Sequence, residues 1–127
     1  MSMFHYYDLG YAEAFIFDQF LINQIREGVT ITPRHNKKLE EIIDKHFKNR
    51  PVVYISNRIN SYAVNPITYI DTSKIHNLLA MAIVADTDIN KKNAIYESSF
   101  YKKPFQVFET LSEAMAWVHQ IIRESND

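Results

Sequence analysis

Three apolar runs, each closed by a polar loop and followed by a helix-like stretch, constrain the fold of this chain more than any other feature. The runs are Pro51–Ser56, Leu78–Asp86 and Phe105–Phe108. Strands that alternate with helices in this way form a largely parallel sheet, because right-handed crossovers return each strand beside the one before it. The alternation therefore predicts an α/β fold.

The first part of the chain predicts an antiparallel hairpin. Phe4–Phe17 and Phe20–Arg26 are rich in aromatic and β-branched residues, with a turn predicted at Asp18–Gln19. Gly10 predicts a bulge or bend within the first strand. Both faces carry bulky apolar groups, so we expect burial on both sides or contact of one face with a partner, such as a second copy in a homodimer. The aromatic residues are Phe4, Tyr6, Tyr11, Phe15, Phe17 and Phe20.

Capping signals and apolar stripes predict about four helices that cover the sheet. Thr32 and Pro33 are typical of a first helical turn, and the stripe after them predicts a helix that ends before Pro51. Thr110 and Glu113 form a capping box ahead of the last helix. Two further helices are predicted over Ile67–His76, with Ile67 and Tyr69 facing inward, and over Ile89–Tyr101, with Thr87 or Asp88 as the cap.

Length and composition predict one domain over residues 1–127, with a mixed sheet of four to five strands. The 14 basic and 15 acidic side chains give a net charge of −1, which argues against nucleic-acid binding. Only Gly10 and Gly28 are glycines, which excludes glycine-rich phosphate loops. The chain has no cysteine, and its five histidines lack ligand spacing, so we expect no metal site and no cofactor.

The sequence pattern predicts neither enzyme activity nor insertion into a membrane. No nucleophile pairs with a base, so we expect no catalytic residues and no enzyme activity. Met1–Asp8 lacks the basic start and apolar stretch of a signal peptide. The longest apolar run, Leu78–Ala85, is far shorter than the roughly 20 residues that span a bilayer. A cytoplasmic protein without a membrane span is predicted.

The loop after the strand Val52–Ser56 holds the candidate binding residues. Ligands of open α/β sheets bind beyond the carboxyl ends of parallel strands. Arg58 is suited to binding a carboxylate or phosphate, and Asn57, Ser61 and Tyr62 are suited to supplying neutral hydrogen bonds. An ordinary polar loop, whose side chains bond to one another, is the alternative interpretation.

The order of the predicted elements, closed by the segment PFQVFETLSEAMAWV, resembles the STAS domain. The similarity is closer to the STAS-like families related to sporulation anti-sigma-factor antagonists. Its residues here are the strand Phe105–Phe108, the pair Glu113–Ala114 and Trp117. The resemblance implies a non-enzymatic binding or regulatory module that acts through protein–protein contact.

The resemblance also implies a phosphorylation site. In the regulatory branch of the family, a partner kinase phosphorylates a Ser or Thr at the start of the second helix. Asp71–Thr72–Ser73 is similar to that motif, with Lys74 where the family has glycine, whereas Ser61 fits the topology without the motif. Ser61, Thr72 and Ser73 are therefore the candidates. A small-molecule binding protein, in which Arg58 and the apolar sheet hold an anionic or lipid-like ligand, is the alternative function.

Overall fold

Eight strands and four α-helices follow one another in the computed structural model, which describes residues 4–126. The strands are β1 (His5–Asp8), β2 (Ala12–Ile16), β3 (Phe20–Ile25), β4 (Thr30–Ile31), β5 (Val52–Asn57), β6 (Ala63–Val64), β7 (Leu78–Val84) and β8 (Phe105–Phe108). The helices are α1 (Asn36–Phe47), α2 (Ile67–Thr72), α3 (Asp88–Ser98) and α4 (Leu111–Ser125), with a 3-10 turn at Pro33–His35 ahead of α1.

Six of the strands form one mixed sheet in the order β1-β2-β3-β5-β7-β8. The first three strands are an antiparallel meander, and β3, β5, β7 and β8 are parallel. The short strands β4 and β6 pair separately as a two-stranded parallel ribbon. The predicted α/β class is confirmed, but the predicted four to five strands were too few.

The extra strand arises at Gly10, which lies in a turn rather than at a bulge within one strand. Its φ of +84° is in the left-handed region, which glycine adopts without strain. Its N–H donates to the Asp8 carboxylate at 2.9 Å, and the Leu9 N–H donates to the Ala12 carbonyl at 2.9 Å. The segment Phe4–Phe17 therefore folds back on itself as β1 and β2. The predicted turn at Asp18–Gln19 is confirmed between β2 and β3.

The helix boundaries follow the capping chemistry. The capping box of Thr110 and Glu113 is present at the start of α4, as predicted. Thr87, rather than Asp88, caps α3, because its Oγ1 accepts the Asn90 N–H at 3.3 Å. The second and third helices end earlier than predicted, at Thr72 and Ser98. Within residues 4–126, no helix is long and apolar enough to cross a membrane.

The two faces of the sheet are covered differently. Helices α1, α2 and α3 contribute to the core on one face, with Phe47 and Tyr69 among its buried side chains. Helix α4 packs on the other face through Ala114, Val118 and Ile122. On that second face the meander carries an aromatic patch, which comprises Phe4, Tyr6, Phe15 and Phe17.

Candidate functional site

Arg58, the predicted anion-binding residue, lies inside the protein and is paired with Glu97 of α3. Its Nη1 and Nη2 lie 2.7 Å and 3.1 Å from the two carboxylate oxygens of Glu97. The Arg58 side chain is 0% exposed and that of Glu97 is 7% exposed. The planar guanidinium matches the carboxylate in bidentate geometry. The charged end of Arg58 is therefore already occupied within the fold.

Two tyrosines complete the surroundings of this ion pair. The Tyr69 hydroxyl donates to Glu97 Oε1 at 2.6 Å, and the Arg58 guanidinium lies 4.3 Å from the centre of the Tyr62 ring. Burial opposes the charge on Arg58, but the hydrogen bonds to Glu97 outweigh it and raise the pKa of Arg58. Burial, together with the charge of Glu97, raises the pKa of Tyr69 well above its ordinary value, so this phenol stays a donor.

Arg58 connects the loop after β5 to the neighbouring elements through its backbone as well as its side chain. The Arg58 N–H donates to the Val84 carbonyl at 2.8 Å, and the Asn90 amide donates to the Arg58 carbonyl at 3.3 Å. Backbone and side chain of one residue thus connect β5 to β7 and to α3. A movement of the loop would separate Arg58 from Glu97 and leave a buried charge uncompensated. The loop therefore has a strongly preferred position.

The other predicted contact residues have separate surroundings. Tyr62 is buried beside Arg58, and its hydroxyl lies 2.8 Å from Ser56 Oγ. Asn57 is half-buried and donates to Gln24 Oε1 at 2.8 Å. Ser61 is exposed, and its backbone N–H donates to Glu27 Oε1 at 3.0 Å. The structure therefore brings Arg58 and Tyr62 together, while Ser61 alone of the four is at the surface.

The predicted phosphorylation sites differ in access. Thr72 is buried, with its hydroxyl 2.7 Å from the Thr68 carbonyl and 3.0 Å from Asn36 Oδ1. Ser73 is half-buried; its hydroxyl donates to the Tyr69 carbonyl at 2.8 Å and accepts the Lys102 N–H at 2.8 Å. A kinase needs a reachable hydroxyl, and the exposed loop offers one at Ser61. Modification at any of the three stays a prediction.

Exposed isoleucines lie at the carboxyl edge of the parallel strands. Ile59 follows β5 and Arg58, Ile67 begins α2, and Ile89 is in the first turn of α3; they are 62%, 59% and 68% exposed. The prediction that Ile67 faces inward was wrong, because Tyr69 and Thr68 occupy the buried side of this short helix. We call Ile59, Ser61, Ile67 and Ile89 the carboxyl-edge surface.

Two histidines lie close together where β1 packs against α1. His46 of α1 hydrogen-bonds to the Tyr7 hydroxyl of β1, and its ring centre lies 4.6 Å from that of His5. Burial lowers the pKa of His46, and positive charge on His5 and Lys45 lowers it further. Within residues 4–126, no cluster of three or more His, Asp or Glu side chains is arranged to hold a metal ion.

Among solved structures, the fold is similar to that of an uncharacterized protein of the DUF3478 family from Shewanella loihica PV-4, described as having a SpoIIAA-like fold. The TM-score is 0.52 at 13% sequence identity, over 92% of this chain and 93% of that chain. At this identity the similarity shows the fold alone. The chain therefore has a SpoIIAA-like, or STAS-like, fold. Neither a scan against protein-family models nor a search of curated proteins finds a match.

Proposed function

We propose that this chain is a non-enzymatic binding or regulatory module that contacts a protein partner through the carboxyl-edge surface. The exposure of Ile59, Ile67 and Ile89 carries this proposal. Single exposed apolar residues are ordinary, but several that share one edge of a sheet are typical of an interaction surface.

The position of the loop after β5 supports the same function. Ile59 directly follows Arg58, whose side chain and backbone are both held within the fold. A loop that is already ordered loses less conformational freedom when a partner binds. The buried ion pair thus acts as a support for the surface and not as a contact with the partner.

Ser61 is the proposed point of regulation within the carboxyl-edge surface. A phosphate on its hydroxyl would add nearly two negative charges. The Glu27 carboxylate already accepts the Ser61 N–H at 3.0 Å, so the new charge would stand beside a like charge. We expect the phosphate to displace Glu27 and to oppose burial of the neighbouring isoleucines in an interface.

Self-association through the aromatic patch is a second proposal. Tyr6 on β1 and Phe4, which directly precedes β1, are about half exposed, and β1 is an edge strand of the sheet. Sedimentation velocity tests it: the wild-type chain should sediment as a dimer and the Phe4→Ser variant as a monomer. An anionic ligand held by Arg58 has less support, because Glu97 already occupies the guanidinium. A cytoplasmic location stays a prediction.

The test of the main proposal is a quantitative pull-down with the tagged chain from lysate of its host. The variants Ile59→Asp and Ile89→Asp place a charge on the carboxyl-edge surface. Ile95→Asp is the matched control, because Ile95 is 62% exposed on the same helix as Ile89 and lies about 9 Å further along its axis.

We expect a stoichiometric partner with the wild-type chain and the control, and at least about tenfold lower recovery with both edge variants. Equal recovery with all three variants would contradict the proposed surface. A Ser61→Glu variant should reduce recovery in the same direction, whereas Ser61→Ala should retain the partner.

A further inference from the structure

The strand β1 is an open edge of the six-stranded sheet. It stands at one end of the strand order, and within residues 4–126 its backbone pairs only with β2. Proteins often block such an edge with a proline, a lysine or a bulge, because exposed strand edges pair with other chains. The strand His5–Asp8 contains no proline or lysine, and its register with β2 is unbroken. This edge is therefore able to pair with another strand.

Alternate residues of β1 present their backbone groups to the open edge. Hydrogen-bonded and non-hydrogen-bonded pairs alternate along an antiparallel ladder. The N–H of Leu9, just after β1, donates to the Ala12 carbonyl at 2.9 Å, so Leu9 and every second residue before it bond to β2. The N–H and C=O groups of Phe4, Tyr6 and Asp8 therefore point away from β2. These three residues offer the hydrogen bonds that an added strand needs.

The side chains at this edge are aromatic and half exposed on the face that carries α4. Phe4 is 52% exposed and Tyr6 is 48% exposed. The Tyr6 ring centre lies 5.2 Å from that of Phe15, and the Phe4 ring centre lies 5.4 Å from that of Phe17. Neighbouring strands bring side chains on one face within about 5 Å of each other. A strand added beside β1 would therefore cover the exposed sides of these rings.

The edge is complementary to itself. When β1 of a second copy runs antiparallel with the two Tyr6 residues opposite each other, Phe4 of each copy lies opposite Asp8 of the other. All three outward residues then pair, which gives about six hydrogen bonds between the copies. The two Asp8 carboxylates lie at opposite ends of this ladder, and each has Arg26 of its own chain at 2.9 Å. A register with Asp8 opposite Asp8 would instead place like charges face to face.

We propose that two copies of the chain associate through β1, which pairs antiparallel with β1 of the second copy about a twofold axis at Tyr6. The two six-stranded sheets then form one continuous sheet, and the aromatic patches of the two copies join on one face. The inference rests on the proposed self-association through the aromatic patch and names the strand that mediates it. Packing of the two aromatic patches face to face, without strand pairing, is the competing arrangement.

Disulfide cross-linking tests which residues meet at the twofold axis. The chain has no cysteine, so each variant carries a single thiol. Tyr6→Cys places the thiols of two copies in a hydrogen-bonded pair, where Cα atoms are about 5.5 Å apart and a disulfide fits. Tyr96→Cys is the matched control, because Tyr96 is 64% exposed on α3. With oxidised glutathione as the oxidant, we expect Tyr6→Cys to form a covalent dimer at least about tenfold faster than Tyr96→Cys.

Sedimentation equilibrium of Tyr6→Pro and Tyr6→Ser separates strand pairing from packing of the rings. Both variants lack the Tyr6 ring, but only proline lacks the outward N–H, and neither loses a hydrogen bond to β2. Since each dimer loses two hydrogen bonds between copies, we expect Tyr6→Pro to dimerise at least about tenfold more weakly than Tyr6→Ser. Thermal unfolding checks that both variants are folded.

The outcomes separate this inference from the proposal on which it rests. A wild-type chain that is monomeric at every concentration would overturn both. A wild-type dimer in which Tyr6→Cys cross-links no faster than Tyr96→Cys would overturn strand pairing alone. Equal dimerisation of Tyr6→Pro and Tyr6→Ser would also overturn it, in favour of face-to-face packing of the aromatic patches.

Discussion

The parallel half of the sheet and the antiparallel meander differ in how their faces are covered and how deeply their residues are buried. Strands β5 and β7 have helices on both faces, and nearly all their residues are buried. In the meander, β1 is largely exposed and the aromatic patch lies beside α4. Even a charged residue, Arg58, is enclosed in the parallel half. Burial here therefore follows from strand position in the sheet more than from residue type.

Removal of Glu97 is expected to have the largest effect on the parallel half. Glu97→Ala leaves the Arg58 charge buried without its partner, so the free energy of unfolding should fall by about 3–5 kcal/mol. Urea unfolding measures the change. The matched control is Glu109→Ala, which removes an equally short ion pair with Lys91 (2.7 Å) at a site where the carboxylate is 70% exposed. That variant should unfold like the wild type.

Equal losses in the free energy of unfolding of Glu97→Ala and Glu109→Ala would contradict the distinction between enclosed and exposed charges. A double variant tests the distinction further. Replacing both partners, Arg58→Met with Glu97→Leu, should recover most of the stability lost in Glu97→Ala, because an apolar pair leaves no uncompensated charge. The same double variant should keep the loop after β5 in place less firmly than the wild type.

A smaller, pH-dependent effect is expected where the meander meets α1. The pKa of His46 is below its ordinary value of 6.5, so the unfolded chain binds a proton more readily than the folded chain does. The stability that neutral His46 contributes is therefore present above pH 6.5 and is lost as the pH falls through that value. The Tyr7 hydroxyl and His46 Nε2 also share a hydrogen bond, which joins β1 to α1.

Urea unfolding at pH 7.5 and pH 5.5 measures this effect. The wild-type chain should lose more stability between the two values than the His46→Gln variant. His119→Gln is the control, because His119 is exposed on α4 in the other layer. If His46→Gln and the wild type show the same pH dependence, the contact of His46 with β1 does not contribute to stability.

Local patterns made much of the parallel half predictable. The strand β8 lies where its apolar run predicts, and the capping box of Thr110 and Glu113 begins α4. These signals are short in range, because they depend on alternation or on neighbours three residues apart. The meander was harder to predict, because a turn with a single glycine, Gly10, divides a segment whose residue pattern predicts one strand. The strands β4 and β6 are two residues each, too short for any period to appear.

For the candidate site, the sequence predicted that a polar loop follows β5 but not the contacts of its residues. The interpretation of Arg58 as a residue that binds a carboxylate or phosphate of a ligand did not foresee its pairing with Glu97. Glu97 is 39 residues away, and pairing at that separation depends on how α3 packs. Glu97 lies on a helix rich in polar residues, where a buried carboxylate has no distinguishing neighbour pattern. Long-range charge pairing of this kind is set by tertiary structure.

Hydrogen–deuterium exchange of the chain with its captured partner tests the central claim most directly, because it reports on both regions at once. The account predicts slower exchange in the loop after β5 and in the first turns of α2 and α3, with exchange in β1 and β2 unchanged by the partner. Protection confined to β1 and β2, with the carboxyl-edge surface exchanging as in the free chain, would contradict it.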